Sequence, residues 1–399
     1  MSARVDALLS AQAVRSHCAQ IMALAEADRA PYFQLHMEHM PAAAGWVADT
    51  IRMQYPDLDV PYHSRWRHFE AGGIDRWRRL ADGQGLDRAE RARIRIDLVI
   101  PSVLLDAGAG PDWRFEDSDG MRLSRSEGLG VASLALFAGG ALSDDAAQPL
   151  RSDGAALSRL SEDTLARAFQ VTPSNPLVGL AGRAALLQRL GAAIAARPDI
   201  FGMPARLGNL YDALAERADA GRIEAGAVLQ LLLQTLGPVW PGRIEVDGVS
   251  LGDCWRHPGT DDGLVPFHKL TQWLTYSMLE PLEEAGLTIT GLDTLTGLPE
   301  YRNGGLLLDF GIITPRDPSF FERLLTVDEP AVVEWRALTV ALLDRMAGAV
   351  RAELGVAAAD FPLARILEGG TWAAGRRIAA ERRPGGAPPV RIASDGTVF

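Results

Sequence analysis

Apolar residues along this chain recur mostly at three- and four-residue intervals, the repeat of an amphipathic helix. Val5, Leu8, Leu9, Val14, Cys18, Ile21 and Leu24 predict one helix over 3–30, ending near Pro31. Further helices are predicted over 41–54, 74–82, 87–106, 126–137, 155–169, 179–196, 207–219 and 224–236. Breaks fall at Pro56, Asn175-Pro176 and Gly237-Pro238. A long helix is expected over 332–353. Two stretches alternate instead: Trp113, Phe115, Met121 and Leu123 flank Asp119-Gly120, and 243–251 turns at Asp247-Gly248. Each predicts a small β-hairpin. The fold class is therefore mainly α, a single compact helical body over 1–399. A division into two lobes is the variant, 1–240 with the hairpin near 113–125, and 241–399.

The stretch 263–311 departs from ordinary helical scaffolding. From Pro266 to Glu280 the pattern predicts a helix that Pro281 stops, with Leu270, Leu274 and Met278 as its core face. A second stripe carries Lys269, Gln272, Trp273, Tyr276 and Glu280. Of the 40 Lys and Arg residues, Lys269 alone is lysine. Lysine is a compact ammonium whose pKa moves readily on burial, whereas arginine is a planar fork that stays charged. A tight site distinguishes the two; a solvated surface does not. The stripe reads either as the lining of a pocket for a small polar ligand or as half-buried core aromatics. Beyond it, Pro299 and a turn expected at Asn303-Gly304-Gly305 predict a short constrained segment holding Glu300, Tyr301 and Arg302. A carboxylate, a phenol and a guanidinium so fixed are either an aimed catalytic triplet or a structural ion pair.

Three other stretches hold candidate chemistry. Between Pro61 and Gly73 stand His63, Arg65, Trp66, Arg67, His68 and Glu70, which suit ligand recognition by a loop or a cation–π cluster that pins it. Asp253, Cys254, Trp255, Arg256 and His257 lead into the Lys269 helix. In EGGTWAAGRR, from Glu368, two glycines and a threonine precede a predicted helix, with Arg376 and Arg377 one turn in. That order suits a phosphate at a helix N-terminus. His36 and His39 have the spacing to share a metal but have no further ligands nearby, so no metal site is predicted.

Composition narrows the classes. With 47% hydrophobic and 23% charged residues a large core is available, and the net charge of −11 argues against a general binder of nucleic acid or anionic membrane. Cys18 and Cys254 make no metal or redox motif. The N-terminus lacks a signal pattern and no apolar run reaches membrane-spanning length, so a soluble, cytoplasmic protein is expected. No phosphate-binding or dinucleotide glycine motif and no G-x-S-x-G elbow occur.

Taken together, PYHSRWRHFEAGG, LLDAGAGPDWR, RSEGLG, LGDCWRHP, VPFHKLTQWL, TGLPEYRNGG and LEGGTWAAGR resemble the uracil-catabolism family of the URC pathway, over nearly the whole chain. That resemblance implies a pathway in which uracil becomes its nucleotide, the ring is opened, a ribosylated urea forms and urea is released. It implies two pathway partners, a uracil phosphoribosyltransferase and a ring-opening protein similar to a GTP cyclohydrolase. A second resemblance concerns chemistry. Phe267, His268, Lys269 and Gln272, followed by Glu300, Tyr301 and Arg302, are similar to an order found in queuosine nucleotide N-glycosidases. Those proteins resemble helical DNA glycosylases, so the resemblance implies a multi-helix, DNA-glycosylase-like body for this chain. They use a lysine and an aspartate at these two places; here the acid is Glu300.

The resemblance implies hydrolysis of the N-ribosidic bond of ribosylurea phosphate or a related ring-opened uracil nucleotide. The transition state of such a reaction is oxocarbenium-like. Glu300 would stabilise it and orient water, and Lys269 would hold Glu300 ionised or protonate the leaving group, a role also open to His268. Arg302, Arg65 and Arg376 are the candidate 5′-phosphate ligands. Trp66, Trp273 and Tyr301 would wall the ligand, and His63, Gln272 and Asp253 complete the expected binding set. This chemistry calls for no cofactor. Two alternatives stay open: amide hydrolysis of the ring-opened base, and a non-catalytic scaffold or sensor for the ring-opening protein.

Overall fold

The computed structural model describes residues 2–240 and 243–393, and these form a mainly α protein. Strands occur among them only in two-stranded pairs. The chain divides into two compact units whose segments alternate in sequence. The first comprises Met1–His63, Gly242–Gln272 and Gly291–Phe399; the second comprises Ser64–Pro241 and Trp273–Thr290. No helix of the described residues is long and apolar enough to cross a membrane.

The first unit is built around the helix Pro330–Leu354, which packs on Ala11–Glu26 and Met40–Gln54. The single helix expected over 3–30 is two, Ala3–Leu8 and Ala11–Glu26, because the Ser10 hydroxyl accepts the N–H of Ala13 at 3.1 Å and starts a new helix. Asn303-Gly304-Gly305 makes no turn; it lies inside the helix Tyr301–Asp309. Close approach accounts for the first glycine of that pair. A Cβ on Gly304 would sit 2.7 Å from the Trp335 ring, whose Nε1–H donates to the Gly304 carbonyl at 3.1 Å.

The same correction holds at Gly369-Gly370. No helix begins after them. They lie in a π-helical segment, Leu367–Trp372, continuous with Leu363–Ile366 before and Ala373–Arg382 after. A Cβ on Gly369 would come within 2.8 Å of Val60, and one on Gly370 within 2.8 Å of Val47. The glycines thus let this segment settle on the helix Met40–Gln54.

Cys254–Arg256 pairs antiparallel with Leu264–Pro266, so Pro266 ends a strand and the helix starts later, at Lys269. The hairpin expected within 243–251 is present, with Val246 opposite Val249. The C-terminal stretch RIASDGTVF is expected from sequence as a short extended tail docked on the body. Arg391–Ala393 docks parallel to Leu324–Thr326, and the rest lies outside the described residues.

In the second unit Arg88–Leu104 packs on Arg125–Ala138, and Leu180–Ala195 on Gly154–Ser158. The expected hairpin near 113–125 is present, Phe115 opposite Leu123. The helix expected over 155–169 is interrupted: Ser161 caps a new one, Glu162–Ala168, by accepting from Thr164 N–H at 3.1 Å. Residues 273–284 of the helix Lys269–Glu284 belong here, and Pro281 does not stop it. A proline inside a helix leaves the carbonyl four residues earlier without its N–H. That carbonyl belongs to Ser277, and the Trp66 indole N–H donates to it at 2.7 Å.

Candidate active site

Lys269 is positioned by Asp253. The Asp253 carbonyl accepts the N–H of Phe267 at 2.9 Å and of His268 at 3.2 Å, and its carboxylate accepts the N–H of Lys269 at 3.0 Å. Trp255 Nε1–H donates to the same carboxylate at 2.6 Å. Arg336 donates to both its oxygens at 2.9 Å each. Burial alone would raise this carboxyl's pKa. The Arg336 guanidinium and the Trp255 and Lys269 N–H groups together outweigh that, and the group lies well below the usual carboxylate range. Asp253, expected among the substrate ligands, is thus a buried anchor for the first turn of the Lys269 helix.

His268 is drawn into the left-handed region, φ 48°, as its N–H turns to Asp253. Such a conformation is rare outside glycine and persists where surrounding bonds over-determine it. The ring is buried, which lowers its pKa, and its Nε2 donates to the Leu8 carbonyl at 2.9 Å. Its bonds hold the start of the Lys269 helix. Gln272 is engaged in the same internal way. Its amide donates to Thr296 Oγ1 at 2.5 Å and to the Phe267 carbonyl at 3.3 Å, while its oxygen accepts Thr296 N–H at 2.9 Å. Those bonds tie the Lys269 helix to the loop that ends at Glu300.

Glu300 is the N-cap of Tyr301–Asp309, and its oxygens accept the N–H groups of Arg302 and Asn303 at 2.6 Å each. The side chain is half-buried. Burial pushes its pKa up; the two helix N–H groups pull against this, followed by the Lys269 ammonium and then the His63 imidazole. Lys269 and His63 therefore act on the same carboxylate. Lys269 is itself buried.

His63 enters from a third stretch of sequence. Its Nδ1 donates to Glu368 Oε2 at 2.7 Å, and its ring lies 6.3 Å from that of Trp372, both partners on the π-helical segment. That segment packs on Tyr301–Asp309, and Gly375 sits where a Cβ would be 2.4 Å from the Arg302 carbonyl. Arg376 stacks over Trp372 at 4.8 Å, and its own helix runs on from the π-helical segment, so the Gly-Gly pair does not open a helix N-terminus there as expected. Arg302 is buried, its guanidinium over the Tyr301 ring at 4.9 Å and donating to the Gly386 carbonyl at 2.9 Å. Tyr301 is exposed.

Arg65, Trp66 and Trp273 belong to the second unit. Arg65, expected at a phosphate, is fully enclosed. It donates to Ser102 Oγ at 2.7 Å and pairs with Asp106 at 2.9 Å, and burial lowers its pKa. Trp66, expected to wall a ligand, is core: it packs on Phe69 and Trp77, and the Arg95 guanidinium lies 3.9 Å from its ring centre. Trp273 is buried with Arg65 over its ring at 5.7 Å.

Among the described residues no group of three or more His, Cys, Asp or Glu is arranged to hold a metal. His36 and His39 stack 5.9 Å apart and bond separately to Thr314 and the Gly311 carbonyl. The first unit thus brings Lys269, Glu300 and His63 together and adds Glu368 and Arg336, which sequence reasoning gave no role. Glu368 stands at the head of a motif already singled out, and its acidity beside a Gly-Gly pair was the available signal. Arg336, inside a long regular helix, left none. A half-buried carboxylate beside a buried ammonium and an oriented imidazole has the means to stabilise developing positive charge and to move protons.

The chain belongs to the family described as "Protein of unknown function (DUF1688)", whose model matches residues 7–399. It is similar to "Uracil catabolism protein 4" of Lachancea kluyveri, 39% identical over 407 residues that cover 92% of each chain. It is also similar to "Protein urg3" of Schizosaccharomyces pombe, 38% identical over 404 residues and 99% of each.

Proposed function

We propose that the chain acts in uracil catabolism, as the name of its Lachancea relative supports, and that it hydrolyses the N-ribosidic bond of ribosylurea phosphate or a related ring-opened uracil nucleotide. The observation that carries the reading is the half-buried Glu300 at the N-cap of Tyr301–Asp309, a carboxylate that the charges of Lys269 and His63 both favour in its ionised form. As the C1–N bond breaks, positive charge grows on the sugar, and a carboxylate beside C1 stabilises it. Glu300 then takes a proton from the attacking water. Lys269 favours the ionised carboxylate, which burial alone would disfavour. A ring-opening protein would supply the substrate.

The test is urea release by the purified protein from ribosylurea 5′-phosphate, beside Glu300→Gln and Lys269→Ala. Loss of roughly a hundredfold or more in the Glu300 variant fits removal of a principal electrostatic group. A wild type that is silent alone and active only with the ring-opening protein would replace the glycosidase with a scaffold.

A further inference from the structure

We propose that His63 is the acid that protonates the departing nitrogen, with Glu368 as its positioning residue; this rests on the glycosidase reading above. Urea is a poor leaving group, and C1–N cleavage places an electron pair on its nitrogen. Some group must deliver a proton there. His268 is held by the Leu8 carbonyl inside the core, so its ring is unsuited to the task. The Lys269 charge acts on Glu300, where it opposes the effect of burial. His63 acts on the same carboxylate, and its ring orientation is fixed from behind. Glu368 carries no proton to donate when ionised, so the 2.7 Å contact makes Nδ1 the donor. With Nδ1 so engaged, the ring's chemistry toward a ligand runs through Nε2.

The support for Glu368 is itself unusual. It lies in a π-helical segment, a geometry found mostly as single turns at functional sites. Two glycines permit that segment to sit against Val60 and Val47, close to where the chain enters His63, and the His63 N–H donates to the Ala364 carbonyl at 2.9 Å just ahead of it. The dyad is therefore tied at both the side chain and the backbone.

The proton count closes. The acid form of His63 carries one proton on Nδ1, toward Glu368, and one on Nε2. Cleavage moves the C1–N electron pair to nitrogen, which takes the Nε2 proton and leaves as urea. Water adds to C1 and gives its proton to Glu300, and return of that proton to His63 restores the site. One water is consumed.

The experiment compares two substrates, ribosylurea 5′-phosphate and 4-nitrophenyl β-ribofuranoside 5-phosphate, whose nitrophenolate departs without protonation. Wild type, His63→Ala and Glu368→Gln are assayed for kcat and KM. Expected is a fall in kcat for urea release of about a hundredfold or more in both variants, with KM little changed. Nitrophenol release should be largely kept, which also shows that the variants are folded. Equal loss on both substrates, in variants whose circular dichroism matches wild type, overturns the acid role while the glycosidase stands. A wild type that cleaves neither substrate removes the glycosidase reading and this assignment with it.

Discussion

Arg336 and Asp253 meet through two hydrogen bonds of 2.9 Å each, and the carboxylate so held accepts the backbone N–H of Lys269. The pair is buried on both sides, so the position of the chain's single lysine depends on charges that never reach solvent.

Breaking that pair should be costly. Arg336→Met leaves Asp253 buried without its cation, and a loss of about 3–5 kcal/mol in unfolding free energy is expected from denaturant titration. The pH dependence has a definite sign. A carboxyl held below its unfolded value contributes stability above the unfolded pKa, and that contribution is lost as pH falls through the folded one. The stability gap between wild type and Asp253→Asn should be widest near neutrality and shrink below about pH 4. A gap that stays constant into acid would refute the linkage.

Activity should follow the ionisation of Glu300. Burial raises that pKa, so the rising acidic limb of kcat/KM should lie above the ordinary carboxylate range. Lys269 opposes the rise, and Lys269→Met should move the limb to higher pH as well as lower its plateau. A limb that stays in place would mean that Lys269 does not tune this carboxylate.

Trp66 and Pro281 should be coupled energetically. Trp66→Phe leaves the Ser277 carbonyl without a donor, at a cost of about 1–3 kcal/mol. In a Pro281→Ala background the restored helix N–H supplies that donor, so the same substitution should cost less. A double-mutant cycle by thermal or chemical unfolding reads the coupling directly.

Glycines inside helices should divide by surroundings. Gly304→Ala forces a methyl to 2.7 Å from Trp335 and should lose about 1–3 kcal/mol. Gly348, exposed in Pro330–Leu354 with nothing near its missing Cβ, should gain about 0.5–1 kcal/mol as alanine. Melting curves of the two variants should shift in opposite directions.

The helical class and both short hairpins were legible because periodicity and Asp-Gly turns are local signals. What misled were residues whose local meaning was overridden by packing. Pro281 reads as a stop until Trp66, more than two hundred residues away in sequence, satisfies the carbonyl it frees. Gly304-Gly305 and Gly369-Gly370 read as a turn and a helix start, yet Gly304, Gly369 and Gly370 are places where indole or aliphatic side chains press against a helix. Lys269 and Glu300 were legible by residue type and order. Asp253 and Gln272 were legible as polar residues beside the helix, but not their internal bonds to it and to its loop, since a polar residue looks the same whether it holds ligand or holds the helix. Glu368 could not be paired with His63, 305 positions earlier in the chain, without the fold.

The π-helical turn Leu367–Trp372 holds one residue more than an α-helical turn would, and an α-helix rotates about 100° per residue. Glu368, near the start of that turn, and Arg376, beyond its end, therefore keep an angular phase that an unbroken α-helix of the same residues would not give. Removing a single residue there would leave every other side chain present and the flanking helices intact, yet swing carboxylate and guanidinium out of phase. At this place the spacing of the chain matters as much as its composition.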